Sequence, residues 1–219
     1  MMNADISAPQ PADPERALAL AYAPSSRRPA LAALWALDEQ LGAIVARTEN
    51  PAVGQMRLTW WHDALQSLGT AAPVDPVLVA LADASAIEPT SLLPLIDGWE
   101  ALLDPLPLPE DSLATYAAAR GGTLFGVAAK LLGGAPDAAE RAGRLWALVD
   151  LAFRISDRTT AERALALASA YAMPERLPKA LAVLTALAGR DLRRGLDLPR
   201  RQGSPRRVAR AMLAGLTGR

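Results

Sequence analysis

The chain has 219 residues, of which 51% are hydrophobic, and its 23 basic and 23 acidic side chains give a formal charge of zero. That balance describes a globular domain and argues against a phosphate polymer as partner, so no nucleic acid is expected. With no cysteine and one histidine, His62, disulfide scaffolds, thiolate zinc sites, iron–sulfur clusters and two-histidine metal motifs are excluded, and any metal would need oxygen ligands, magnesium first among them.

Residues 1–12 are expected to form a disordered tail, and 13–219 a single helical domain. Capping residues followed at once by proline mark helix starts at Asp13-Pro14, Asn50-Pro51, Asp75-Pro76 and Ser204-Pro205. Between these marks the apolar spacing predicts helices at about 14–22, 26–48, 51–68, 76–86, 90–103, 111–132, 137–156, 160–172, 178–189 and 205–216. No stretch alternates at period two, so the fold class is all-α. The run Asp104-Pro105-Leu106-Pro107-Leu108-Pro109 is too proline-dense for a helix and is the one linker-like stretch in mid-chain. Residues 1–13 lack the features of a signal peptide and no apolar run reaches the length of a membrane span. A cytoplasmic location follows as the expectation, with peripheral membrane contact left open.

Polar residues on apolar faces are the candidates for chemistry. Asp38 falls inside the stripe formed by Leu31, Leu34, Trp35, Leu41 and Val45, and a carboxylate facing a core must be paired. Gly42 and Ala46 continue its line at four-residue steps. Arg57 shares a face with Trp61 and is the expected partner of Asp38. On a later helix Asp150 lies within the stripe of Trp146, Val149 and Phe153, with Arg154 at i+4 as a local partner. Inward carboxylates on two helices suit an oxygen-ligated metal site, and they equally suit two buried ion pairs. Ser25, Arg27 and Arg28 are read either as an anion contact at a helix start or as a capped, solvated turn. His62, beside Asp63, is read as a packed helix residue rather than a general base, and Gly121-Gly122 as a kink or close helix contact. The arginine-rich segment 190–207 is either a solvated turn or a surface for an acidic partner or anionic lipid heads, through Arg193, Arg194, Arg200 and Arg201.

Three stretches resemble the squalene/phytoene synthase family. The run from Tyr22 to Ala36, YAPSSRRPALAALWA, is similar to the segment that opens that family; Arg57-Leu58-Thr59-Trp60-Trp61-His62-Asp63-Ala64-Leu65 resembles its R-L-Q-W-W-R-D-A-L; and the stretch from Gly122 to Gly133 resembles its glycine-led helix before the second active-site motif. The resemblance implies an isoprenoid-synthase-like bundle of about ten helices around a central cavity, with Asp38, Gly42, Ala46, Arg57, Trp61, Asp150 and Arg154 as the residues expected to line it. In active members, aspartate-rich motifs on two facing helices hold magnesium ions that ionise a prenyl diphosphate, since departing diphosphate concentrates negative charge. Aligned on the resembling segments, the first of those motifs falls on residues 42–46, placing Gly42 and Ala46 at the metal positions. The second falls on residues 155–159, placing Ile155 and Thr159 there.

The pattern, with R-L-x-W-W-x-D-A-L kept and the aspartates absent, resembles the branch that includes a mitochondrial assembly factor for respiratory complex I. By that resemblance the chain is a non-catalytic isoprenoid- or lipid-binding protein or a complex I assembly-type protein, with no catalytic residue, no metal and no cofactor, its ligand an apolar isoprenoid or lipid or its partner a protein. The alternative is an active, magnesium-dependent prenyltransferase that condenses prenyl diphosphates through a displaced metal site built from Asp38 and Asp150, or from Glu39 and Glu100.

Overall fold

Asp13, Asn50 and Asp75 each accept a backbone N–H of the turn they open, from Glu15, Ala52 and Val77 at 2.8, 3.0 and 2.8 Å. The prolines that follow them occupy the position whose missing N–H would in any case lack a partner. Ser204, by contrast, starts its helix without a side-chain cap. The computed structural model describes residues 10–70, 72–172 and 176–218, and over them the chain is all-α. The helices are α1 (Pro14–Leu20), α2 (Arg28–Ala46), α3 (Pro51–Gln66), α4 (Pro76–Asp83), α5 (Pro94–Glu100), α6 (Glu110–Thr115), α7 (Thr123–Leu131), α8 (Pro136–Ala152), α9 (Arg158–Ala168), α10 (Lys179–Arg194) and α11 (Pro205–Thr217).

Three of the expected helices take a different form in the structure. The helix expected at 137–156 stops at Ala152, and Asp157 restarts the chain as α9 by accepting the Thr160 N–H at 2.7 Å. The helix expected at 111–132 is continuous, but its centre, Tyr116–Gly122, is a π-helical turn that joins α6 to α7. The expected helix at 90–103 shrinks to α5 between two 3₁₀ turns, because Pro89 and Pro94 each begin a new segment.

The π-helical turn packs against α5 on one side and α8 on the other. Close approach to α8 requires Gly121 and Gly143: a Cβ on Gly143 would lie 2.0 Å from the Gly121 carbonyl oxygen. The hydrophobic core runs through elements on both sides of the proline-rich segment, including Leu31, Leu34 and Leu95 before it and Phe125, Leu148 and Leu181 after it. That segment is bolted down at its centre, where Leu108 is fully buried, gives its N–H to Thr160 Oγ1 at 2.9 Å and takes a hydrogen bond from Arg163 on its carbonyl. Of the expected tail, residues 1–9 lie outside the described residues, while Ala12 gives its N–H to Glu39 at 2.7 Å. Among the described residues no helix is long and apolar enough to cross a membrane.

Candidate functional site

A buried chain of ion pairs occupies the space between α2, the π-helical turn and α8. It begins at Asp38 in α2, which is 0% exposed. Its two oxygens accept from Arg120 Nε and Nη2 at 2.8 and 2.9 Å, from Arg16 Nη2 at 2.5 Å and from the Trp99 indole N–H at 2.9 Å. Arg120, from the π-helical turn, also reaches Asp150 of α8 at 3.4 Å and donates to the Tyr116 hydroxyl. One guanidinium thus bridges the inward carboxylates of two facing helices. Its carbon lies 4.3, 4.7 and 5.2 Å from the ring centroids of Trp99, Trp146 and Tyr116, an aromatic box that suits a desolvated cation.

From Asp150 the chain runs outward and downward through the fold. Arg154 Nε donates to Asp150 at 2.8 Å and its Nη2 to Asp13 at 2.7 Å. Arg200 donates to Asp150 and to Glu15, both at 3.1 Å, and approaches Asp191 at 3.2 Å. Arg207 in α11 joins Glu15 to Asp191 and closes that end. Five arginines (16, 120, 154, 200, 207) are set against five carboxylates (13, 15, 38, 150, 191), with Glu39 at the rim 3.7 Å from Arg16. A buried charge must be matched in this way or it neutralises.

The electrostatics follow the geometry. Burial by itself would raise the Asp38 carboxyl, but Arg120 and Arg16 together overcome it and hold it at about 2. Asp150 is likewise opposed by burial and carried below the usual carboxylate range by Arg120, Arg154 and Arg200. The Tyr116 phenol is pushed well above its ordinary value, chiefly by burial, and stays protonated. Both carboxylates are therefore ionised and already engaged by cations of the chain itself.

Several expected site residues lie elsewhere. Arg57 is exposed on α3 and does not pair with Asp38; α3 buries only Gly54, Leu58, Trp61 and Leu65, and Arg57 faces away from that narrow stripe. Trp61 is a core residue rather than a cavity wall, and Ala46 is exposed at the end of α2. Gly42 is half-buried beneath the Trp99 ring, which a Cβ there would meet at 2.7 Å. Ile155 lies within the break between α8 and α9 and Thr159 in the first turn of α9, so the two do not share one helix. Ser25 and Arg27 are exposed in a 3₁₀ turn, and Arg28 spends its guanidinium on the carbonyls of Ala23 and Ala21 at 2.9 and 2.8 Å, capping the end of α1 instead of an anion. Of the arginine surface, Arg193, Arg194 and Arg201 are exposed, but Arg200 is drawn inward by its three carboxylates.

The sequence pointed to Asp38, Asp150 and Arg154 but not to Glu15, Arg16, Trp99, Arg120, Asp191 or Arg207. Arg120 carried the same signal as Asp38: it shares a helix face with Tyr116 and Leu124 at four-residue steps, a charge inside an apolar line.

A family profile described as squalene/phytoene synthase matches residues 10–218, nearly the whole chain. The chain belongs to the squalene/phytoene synthase family. Comparisons with curated proteins and with solved structures return no match. For this family member the magnesium of active synthases can be tested against the donors present. Both oxygens of Asp38 are taken by guanidinium and indole N–H groups, and Asp150 is taken by three arginines. Glu39 is committed to the backbone N–H groups of residues 12 and 13, and Glu100 accepts from Gln55 at 2.8 Å. Among the described residues no group of three or more histidines or carboxylates is arranged to hold a metal ion. Engaged in this way, Asp38, Asp150, Glu39 and Glu100 do not fit the ion.

Proposed function

We propose that this chain is a non-catalytic member of the squalene/phytoene synthase family, a rigid helical scaffold that acts by binding a partner in the manner of the respiratory complex I assembly branch it resembles. The observation that carries this is Arg120, a guanidinium bridging Asp38 and Asp150 between the two helices that face each other across the fold. A divalent ion between those carboxylates would have to displace a buried cation held by three charge-assisted contacts, and the displaced guanidinium would have no other anion within the aromatic box. Trp99 supports the same reading from the other side, since its ring covers Gly42, where the family resemblance puts a metal-binding aspartate.

An isoprenoid-holding role ranks below partner binding, because the space between α2 and α8 is filled with charge, which disfavours an apolar chain. Incubation of the purified chain with farnesyl or geranylgeranyl diphosphate and magnesium is expected to release no diphosphate above the protein-free rate. Magnesium and diphosphate together are expected to leave the melting temperature unchanged. Magnesium-dependent turnover would overturn the proposal and restore the prenyltransferase alternative.

A further inference from the structure

α11 is built with its faces in an unusual order. Its inward line is Arg207, Ala211, Ala214 and Gly215, with Gly215 set so close to the Tyr22 ring that a Cβ would lie 2.4 Å from it. The charged Arg207 points inward, to Glu15 and Asp191. The outward sector is apolar: Val208, Met212, Leu213 and Leu216 are 37, 49, 53 and 67% exposed. At 100° per residue the most apolar direction of the helix points along Met212, roughly a third of a turn away from the buried line. A helix that only packed on its own protein would aim that direction at the core.

The charge around this face is mainly positive, with Asp197 its one exposed acid among the described residues from Arg193 onward. Residues 198–218 contain five arginines and no aspartate or glutamate. Two of the five, Arg200 and Arg207, are consumed by the buried ion pairs. Of the other three, Arg210 is half-buried, while Arg201 and Arg206 are exposed, as are Arg193 and Arg194 at the end of α10, which packs against α11. Among the described residues none of these four has an acidic partner, and the nearby Asp197 is engaged by Arg158.

We propose that the outward face of α11 docks on an anionic lipid surface, lying in the plane of the headgroups with Val208, Met212, Leu213 and Leu216 inserted and Arg193, Arg194, Arg201 and Arg206 on the phosphates. With 13 residues the helix is about 20 Å long, too short to span a bilayer and suited to lie on one. A protein groove would meet the same leucines, but an apolar groove gives no reason for four exposed arginines without an acidic partner beside them. An anionic bilayer supplies both an apolar layer and a negative surface. The inference does not depend on whether the chain is catalytic.

The test is co-sedimentation of the full chain with vesicles of phosphatidylcholine alone and of phosphatidylcholine containing phosphatidylglycerol. Binding is expected only to the anionic vesicles and is expected to weaken with salt. Met212→Asp with Leu216→Asp should lower partitioning at least tenfold, ~1.4 kcal/mol, and Arg201→Gln with Arg206→Gln should weaken it and flatten its salt dependence. Because all four side chains are exposed or flank exposed positions, the melting temperature should not move. Trp60→Asp, on the exposed face of α3, should bind vesicles like the unaltered chain. Absence of binding to anionic vesicles, binding undiminished in the α11 variants, or loss of binding in Trp60→Asp would each overturn the proposal. So would a self-associated state that the α11 variants dissolve without any vesicle binding, which would assign the face to a second copy.

Discussion

Replacing Arg120 by methionine tests the buried ion chain at its centre. Arg120 makes a two-point contact with Asp38 at 2.8 and 2.9 Å and is 1% exposed. Each charge-assisted bond is worth ~1.5–3 kcal/mol, and the aromatic box adds ~1–2 kcal/mol. Methionine recovers part of the packing and removes the cost of burying a guanidinium, and Arg16 still holds Asp38. The net loss is therefore ~3–5 kcal/mol, a large share of the ~5–15 kcal/mol that a domain has. Urea unfolding followed by circular dichroism would show it as a lower midpoint, with Arg158→Met, at an exposed pair with Glu162, as a control losing no more than ~1 kcal/mol.

The pH dependence gives the same residue a second readout. The Asp38 carboxyl is held at about 2 against an ordinary 3.8, and a group depressed on folding contributes stability that is complete above its unfolded value and lost as pH falls through its folded one. That contribution is about 2 kcal/mol and disappears between about pH 4 and pH 2. With Arg120 gone and the burial of Asp38 unchanged, its carboxyl rises, so the acid limb of the stability curve should move to higher pH. A loss below ~1 kcal/mol, or an acid limb that stays in place, would refute the reading of Arg120 as the charge that holds α2 to α8.

Two further substitutions separate neighbouring positions. Gly42→Asp restores a carboxylate at the position the family resemblance marks, but its Cβ meets Trp99 at 2.7 Å, so a loss of ~1–3 kcal/mol is expected with no gain in magnesium-dependent melting temperature; thermal shift with and without magnesium measures both, and a stabilising magnesium effect would contradict the account of Trp99. Arg200→Ala should cost ~1–3 kcal/mol because it takes one cation from three buried acids that each keep another arginine, whereas Arg201→Ala, one residue on and exposed, should stay within ~0.5 kcal/mol. Equal losses in chemical denaturation would remove the distinction between a structural and a surface arginine.

Much of the fold was legible because its signals are local. A capping side chain followed by proline sets the first turn of a helix whatever surrounds it, and Asp13, Asn50 and Asp75 are found capping as their sequence context implies. Helix ends were less legible. α8 stops at Ala152 and Asp157 caps a new helix five residues on, a break that apolar periodicity does not register. The π-helical turn at Tyr116–Gly122 leaves the apolar pattern almost unchanged and so is not registered by it.

By itself the sequence determined that the protein is all-α, that it resembles the squalene/phytoene synthases, and that Asp38 and Asp150 face inward and need partners. Only the tertiary structure decided who those partners are. Helix periodicity fixes which side of a helix a charge occupies, but pairing depends on which helices cross, and the partners of Asp38 come from residues 16, 99 and 120, far along the chain. The same holds for the arginine-rich end. Sequence left its arginines as a solvated turn or a contact surface, exposed either way; tertiary packing took Arg200 and Arg207 into the interior and left leucines outside, because balancing Glu15, Asp150 and Asp191 outweighs the preference of an arginine for water.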